Sequence, residues 1–324
     1  MIFDVARHKF SEGLLTLLLF ALLAMVVTLL GGEVEPVAEG APLRVFVDRL
    51  AVDYPTATAI ALFPLLMYAG LRLARSTVRV DIYSASSLAV VALGAVVMFS
   101  CVTSVNYLYL AVVVLLMSEL LGRLIYCFGA NVRVGYLFTA MLSLGAMPLV
   151  DSALIPIVVV VSLVLMFVRG TLRELIIIVA GVAMPTLLYC YVTWLLGGEF
   201  DVACMRIWSV NTLAQHDAVV EYLTLPRLIF LGVMLLLDIC SIISYFSVRV
   251  TLTDAARVVW RLLVALQIML VAMLLVAPLS SPALVVALML IMVVVMPQFF
   301  IKVDVLTATF AYLVFVASAL VTLL

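Results

Sequence analysis

The sequence predicts an all-α, polytopic transmembrane bundle of about 11 (10–11) spans, and three observations carry that reading. The chain is 68% hydrophobic and 11% charged, with a mean hydropathy of +1.40, whereas a water-soluble domain carries about 25% charged residues. Its apolar residues come in stretches close to the ~20 needed to cross a hydrocarbon layer, without the ten-residue alternation of a membrane barrel. Backbone in that layer must satisfy its own hydrogen bonds, so the elements are helices. Finally, Arg44, Arg49, Arg206 and Arg227 fall in one set of gaps between apolar stretches, and the remainder of the 17 basic residues fall in the alternate set. The positive-inside rule makes the richer set cytoplasmic.

The spans lie near 12–31, 55–73, 84–102, 105–122, 134–149, 153–168, 174–196, 227–247, 262–278, 282–298 and 303–324. Arg7 and Lys9 precede the first, which places the N-terminus in the cytoplasm and, with an odd number of spans, the C-terminus outside. The first apolar run is longer than the 7–15 residues of a signal peptide and lacks a small-x-small cleavage site, so it reads as a retained anchor. Segments 134–149 and 153–168 reach only about 24 Å each and are joined by the tight Met147-Pro148-Leu149-Val150-Asp151 turn, which fits two short spans or one re-entrant pair. Arg169, Arg173 and Glu174 form an interfacial anchor at the start of the seventh span. Gly31-Gly32 and Gly197-Gly198 are helix stops, and only Gln298 to Lys302 separates the last two spans. The chain 1–324 is thus a single integral-membrane domain.

Two segments exceed a turn, 31–54 and 197–226, and both lie on the outer side. In the first, Leu43, Phe46, Val47 and Leu50 follow the i, i+3, i+4, i+7 spacing of an amphipathic helix, with Arg44, Asp48, Arg49 and Asp53 on its polar side. In the second, apolar residues around Arg206 are interrupted by Asn211, Gln215, His216, Asp217 and Glu221. Two interfacial helices on one face would frame the mouth of a cavity.

Ionisable groups within the spans come next, because a carboxylate at mid-bilayer costs ~2.5–3.5 kcal/mol on insertion scales. Asp238 lies eleven residues from both Arg227 and Arg249, about 16 Å from each end of its span. Ser241 and Gln267 are its candidate partners. It reads as a proton or cation site or as a carboxyl hydrogen-bonded within the bundle. Glu119 stands one turn before Arg123, so an i, i+4 ion pair accounts for it.

His8 and His216, the only histidines, fall on opposite sides, so no histidine-rich metal site is expected, and no cofactor is implied. Cys101, Cys127, Cys190, Cys204 and Cys240 show no C-x-x-C spacing; Cys101 and Cys204 share the outer side, and free thiols are expected. Trp194, Trp208, Trp260, Tyr54, Tyr107 and Tyr222 fall near predicted interfaces, as in an aromatic belt. A net charge of -1 argues against a nucleic-acid partner; the lipid bilayer is the evident one.

The run Asn106-Tyr107-Leu108-Tyr109 through Leu121-Gly122-Arg123, with Arg133-Val134-Gly135-Tyr136, Leu144-Gly145-Ala146-Met147-Pro148, Arg169-Gly170-Thr171-Leu172-Arg173-Glu174 and Gly181-Val182-Ala183-Met184-Pro185, resembles a bacterial inner-membrane family of unknown function over roughly residues 80–200. Its layout of short paired spans, basic cytoplasmic turn and late proline is similar to the core of GT-C type glycosyltransferases. That resemblance implies an inner-membrane protein using polyprenyl-linked sugars at the outer face, with a catalytic acid in the first outer loop. Here that loop offers Glu33, Glu35, Asp48 and Asp53, in a segment shorter than the family's. Asp48 or Asp53 would act as general base, and Arg44, Arg49 or Arg206 would bind the lipid phosphate. Two other classes fit the residues: a secondary transporter coupled through Asp238, with Pro185 and Pro297 breaking neighbouring helices, and a non-catalytic membrane subunit that stabilises other subunits of an assembly.

Overall fold

The computed structural model describes residues 10–31, 40–79, 82–83, 87–103, 107–128, 134–169, 171–208, 219–275 and 281–323, and all regular structure among them is helical. The helices are α1 (Phe10–Gly31), α2 (Pro42–Asp53), α3 (Pro55–Arg79), α4 (Ala89–Val102), α5 (Tyr107–Cys127), α6 (Val134–Val150), α7 (Ile155–Arg169), α8 (Leu172–Leu195), α9 (Phe200–Trp208), α10 (Leu225–Val248), α11 (Asp254–Leu275), α12 (Pro282–Val295), α13 (Pro297–Lys302) and α14 (Val305–Val321). A 3₁₀ turn, Ser152–Leu154, joins α6 to α7. Among the described residues, seven segments are long and apolar enough to cross a membrane: α1, α3, α5, α8, α10, α11 and the α12–α13 pair. Four shorter apolar helices, α4, α6, α7 and α14, pack among them.

Burial follows composition. Helices α4 and α12 are apolar all round, and every one of their residues is buried, as expected for a helix with no polar face to present. α12 packs against α4, α5, α10 and α11 and forms the centre of the bundle. Helix α8, by contrast, lies at the edge, with Ile176, Leu187, Leu188 and Tyr191 more than half exposed.

Contacts between helix ends fix their directions. At one end Thr58 Oγ1 lies 2.7 Å from the Tyr107 hydroxyl, and Ser100 Oγ donates to Thr322 Oγ1 at 3.3 Å. At the other, Arg72 meets Glu119, Tyr126 donates to the Arg75 carbonyl and Lys302 donates to Ser247. Helices α3 and α5 therefore run in the same direction, and α4 and α14 end side by side. Helices α2 and α9 both pack at the Val150 end of α6, and the basic residues Arg72, Arg75, Arg123 and Lys302 gather at the opposite end.

The segment read as two spans or a re-entrant pair forms two separate helices. α6 accompanies α5 from the stacked Tyr126–Tyr136 rings, 5.2 Å apart, to the Tyr109–Asp151 contact, so it reaches the full depth that α5 does. The helix predicted over 262–278 begins earlier, at Asp254, because the Arg257 and Arg261 turns continue it and Asp254 pairs with Arg257 at 2.7 Å. The aromatic-belt expectation is corrected in part. Trp194 and Tyr54 are exposed, but Trp260, Tyr107 and Tyr222 are buried; Trp260 stacks on Tyr245 at 4.6 Å and donates to the Ile82 carbonyl at 3.0 Å, which satisfies its indole N–H inside the bundle.

Helix α8 is seated on α6 through two glycines. A Cβ on Gly145 would overlap the Val182 backbone, and one on Gly181 would meet Met141 Cβ at 2.6 Å. Close backbone approach through small residues is the usual way membrane helices gain packing contacts. We expect Gly145→Ala to lower stability by about 1–3 kcal/mol through overpacking, read as a lower midpoint of thermal unfolding in detergent. Gly135→Ala, where a Cβ meets open space, is the matched control and should not lower it.

Candidate functional site

Helix α2 carries the surprise of the fold. The sequence spacing gives α2 an apolar stripe of Leu43, Phe46, Val47 and Leu50; in the structure Val47 is buried, Leu43 and Leu50 are half-buried and Phe46 is exposed, and the residues that face the bundle are Arg44, Val47, Asp48 and Ala51, again i, i+3, i+4, i+7. Arg44 is drawn to the ring of Tyr109, its guanidinium carbon 4.5 Å from the centroid. Arg44 and Asp48 side chains are 11% and 2% exposed, with Arg44 Nε 3.7 Å from Asp48 Oδ2. That is an ion pair without a hydrogen bond. Arg44 Nε and both Asp48 oxygens are buried and have no hydrogen-bond partner among the described residues.

Beneath this pair lies a second polar group, fully bonded. Asp151 caps the 3₁₀ turn by accepting from Ala153 N at 2.9 Å. Its other oxygen accepts from the hydroxyls of Tyr109 and Ser281. Ser281 also caps α12, accepting from Ala283 N at 3.2 Å. The cluster thus draws on α2, α5, the α6–α7 turn and the start of α12, and Tyr109 connects its two halves: ring face to Arg44, hydroxyl to Asp151. Burial pushes the Asp48 carboxyl up to about 6, against the pull of the neighbouring Arg44 charge.

Beside the cluster, an apolar groove of about 480 Å³ opens between α7 and α8, floored by Gly145 and Pro148 of α6 and reached by Cys204 and Ile207 of α9. Pro148 and Asp151 are three residues apart, so groove and polar cluster adjoin within one helical turn.

The remaining sequence candidates are placed as follows. Arg49 and Asp53 are exposed on the outward side of α2, and Arg206 is exposed in the last turn of α9. None of the three joins the buried cluster. Glu33, Glu35, His8, and the Asn211, Gln215, His216 and Asp217 run lie outside the described residues. Glu119 pairs with Arg123 at 3.2 Å as its spacing requires, and also with Arg72 at 2.7 Å and the Tyr68 hydroxyl at 2.7 Å, which makes it a tie between α3 and α5. Asp238 is buried and accepts from Gln267 Nε2 at 3.0 Å. Ser241, one turn on, donates to the Val295 carbonyl at 2.6 Å and accepts from Phe299 N at 3.2 Å, bridging the break that Pro297 makes between α12 and α13. Pro185, in contrast, sits inside a continuous α8. All five cysteines are free, and it is Cys190, not Cys101, that packs beside Cys204.

Sequence reasoning missed Tyr109, Asp151 and Ser281 as site residues. Two carried a usable signal: Asp151 is a carboxylate between apolar stretches, and Ser281 directly precedes the helix-starting Pro282.

Comparison with protein-family models, with curated proteins and with solved structures gives no match, so the functional reading rests on the chain itself.

Two outcomes follow from this geometry. The Asp48 carboxyl holds its proton more tightly in the folded chain than its ordinary 3.8, so its contribution to stability is greatest below about pH 4, declines as pH rises to about 6, and is flat above. Asp48→Asn should abolish that decline in melting curves taken from pH 4 to 8, and Arg44→Met, which strands the carboxylate, should destabilise more at pH 8 than at pH 5. At mid-bundle, Asp238→Asn retains a partner for Gln267 and should cost less than about 1 kcal/mol, whereas Asp238→Leu orphans the amide and should cost about 1–3 kcal/mol, checked by the same melts.

Proposed function

We propose that the protein is an eleven-span protein of a bacterial inner membrane, its basic end cytoplasmic, that binds a polyprenyl-phosphate-linked sugar at its outer, α2 end in the manner of GT-C type glycosyltransferases. The observation that carries this reading is the buried Arg44–Asp48 pair, in which Arg44 Nε and both Asp48 oxygens have no hydrogen-bond partner among the described residues, beside an apolar groove. A buried ion pair with unmet hydrogen bonds is costly to the fold, and such costs concentrate where a ligand completes the set. Arg44 supplies a cation for the lipid phosphate, and Arg49 and Arg206 add positive charge at the rim.

In the transfer step Asp48, ionised, takes the proton of an acceptor hydroxyl. The acceptor oxygen bonds to the sugar's anomeric carbon as the bond from that carbon to the phosphate oxygen breaks. The polyprenyl phosphate leaves with an added negative charge beside Arg44. A base with a pKa of about 6 is ionised at neutral pH and still a competent proton acceptor. Asp53 is exposed on the outward side of α2 and takes no part.

A second reading is transport coupled through Asp238, favoured by the Ser241 bridge across the α12–α13 break one turn away. Broken helices beside a mid-membrane carboxyl are a recurrent feature of carriers. Proton-coupled uptake abolished by Asp238→Asn would establish it.

Native mass spectrometry of gently purified protein tests the main reading: we expect a co-purifying polyprenyl phosphate or its glycosylated form, lost in Arg44→Met. Transfer activity should rise about tenfold per pH unit up to about pH 6 and then level off, as ionisation of one base requires, and Asp48→Asn should remove it. A protein carrying only bulk phospholipid, with Asp48→Asn indistinguishable from wild type, overturns it.

A further inference from the structure

Helix α9 folds back onto the end of α8 through a glycine turn. Gly197 takes a φ of 91°, a conformation that favours glycine. The amides of Leu196, Gly197 and Gly198 donate to the carbonyls of Val192, Trp194 and Thr193 at 3.0–3.1 Å. The apolar contact that follows is small and separate from the main core. Ala203 and Ile207, one turn apart on α9, pack with Cys190 of α8, and Leu149 and Tyr189 lie at the margin. A helix of nine residues is not stable by itself, and two aliphatic side chains bury little surface to hold it.

The same contact carries a pair of thiols. Cys190 sits in the penultimate turn of α8 and is 1% exposed. Cys204 of α9 is half-buried, and its thiol lies within hydrogen-bonding reach of the Cys190 thiol. Both are free. The other three cysteines lie elsewhere: Cys101 in the last turn of α4, its sulfur 3.6 Å from that of Met289, Cys127 at the far end of α5 and Cys240 midway along α10. Helix α9 packs at the Val150 end of α6, the end read above as outer. Thiols outside a bacterial inner membrane are oxidised, whereas cytosolic thiols are kept reduced.

We infer that Cys190 and Cys204 close to a disulfide that latches α9 onto α8 at the outer face. The latch rests on the orientation proposed above and not on lipid binding or transfer. Its oxidant is the disulfide of an outer-side thiol–disulfide oxidoreductase. The Cys204 thiolate, the more exposed of the two, attacks one sulfur of that disulfide, and the other sulfur leaves as a thiol. Cys190 then attacks the Cys204 sulfur of the mixed disulfide, forming the Cys190–Cys204 bond and expelling the second oxidoreductase thiol. The two protein thiols lose two electrons and two protons, and the oxidant's disulfide gains them. Cys204 and Ile207 reach the α7–α8 groove, so closure also fixes the α9 end of that groove.

The test starts from bacterial cells expressing the full-length chain, quenched in acid so that thiols keep their state. The protein is denatured and alkylated with maleimide, with and without prior reduction, and weighed intact. We expect three of the five cysteines to be alkylated without reduction and all five after it, and digestion to yield a peptide linked through Cys190 and Cys204. Cys190→Ser and Cys204→Ser should each leave every remaining cysteine open to alkylation without reduction. In nanodiscs, reduction should speed amide hydrogen exchange within α9 about tenfold and leave α6 unchanged, and both serine variants should exchange at the fast rate throughout. A different partner for either cysteine, or α9 exchange indifferent to reduction, overturns the inference. Should all five be alkylated in unreduced cell samples, oxidised glutathione added to the purified protein separates the causes. Closure there overturns the outer placement of this end, and thiols that stay open overturn the pair itself. Co-purification of a polyprenyl phosphate is read independently of thiol state, so the latch and the proposed lipid binding fail separately.

Discussion

The carboxylate of Asp151 is the junction on which the α2 end of the molecule depends. A single buried side chain terminates α6, caps the turn into α7, and receives hydroxyls from α5 and from the start of α12. Four segments are thereby held together by one buried carboxylate, and an unmet polar group in such a place costs about 1–3 kcal/mol. The arrangement also determines what lies above it. Because the Tyr109 hydroxyl is committed to Asp151, its ring is presented to Arg44, which is drawn to it from α2.

Bonded and unbonded polar groups are therefore sorted by role within a few ångströms. Asp151, Tyr109 and Ser281 form a closed network that specifies the fold; Arg44 and Asp48 are left with hydrogen-bonding capacity unused. Other charged side chains have partners, while Arg72, Arg227 and Arg257 each keep one buried nitrogen without a hydrogen bond among the described residues. Glu119 has three donors. Arg227 donates to the carbonyls of Tyr222 and Thr103 and lies over the Tyr222 ring at 4.3 Å, tying the end of α4 to the start of α10. Asp238 has Gln267. What sets the α2 pair apart is that neither carboxylate oxygen of Asp48 has a hydrogen-bond partner among the described residues.

The bundle was legible in the sequence because its signal is bulk hydropathy, a property of twenty residues at a time: each apolar stretch corresponds to a helix, down to the short α6 and α7. The Glu119–Arg123 and Asp238–Gln267 contacts were legible because spacing along one helix, or depth across two, suffices to propose them. What the sequence concealed depends on contacts between distant segments. The face that α2 turns to the bundle was not legible because helical periodicity identifies an apolar stripe without saying which flank of it packs on protein. The Tyr109–Asp151–Ser281 network joins residues up to 172 positions apart, and the groove exists only because Gly145 admits the backbone of α8 so closely.

One dimension of the α7–α8 edge bears on the membrane itself. Helix α7 is 15 residues long, and its neighbour α8 is 24 with the charged Arg173 and Glu174 in its first turn, so their apolar walls stand about 22 and about 32 Å tall against a hydrocarbon layer of about 30 Å. Lipids beside α7 meet a wall too short for them and those beside α8 a wall that matches. Hydrophobic mismatch of this sort is relieved by local thinning of the leaflets, costing fractions of a kcal/mol per ångström. The protein would thus carry a built-in step in bilayer thickness along this edge, and its preference among membranes of different composition would be set there, by the heights of two apolar walls.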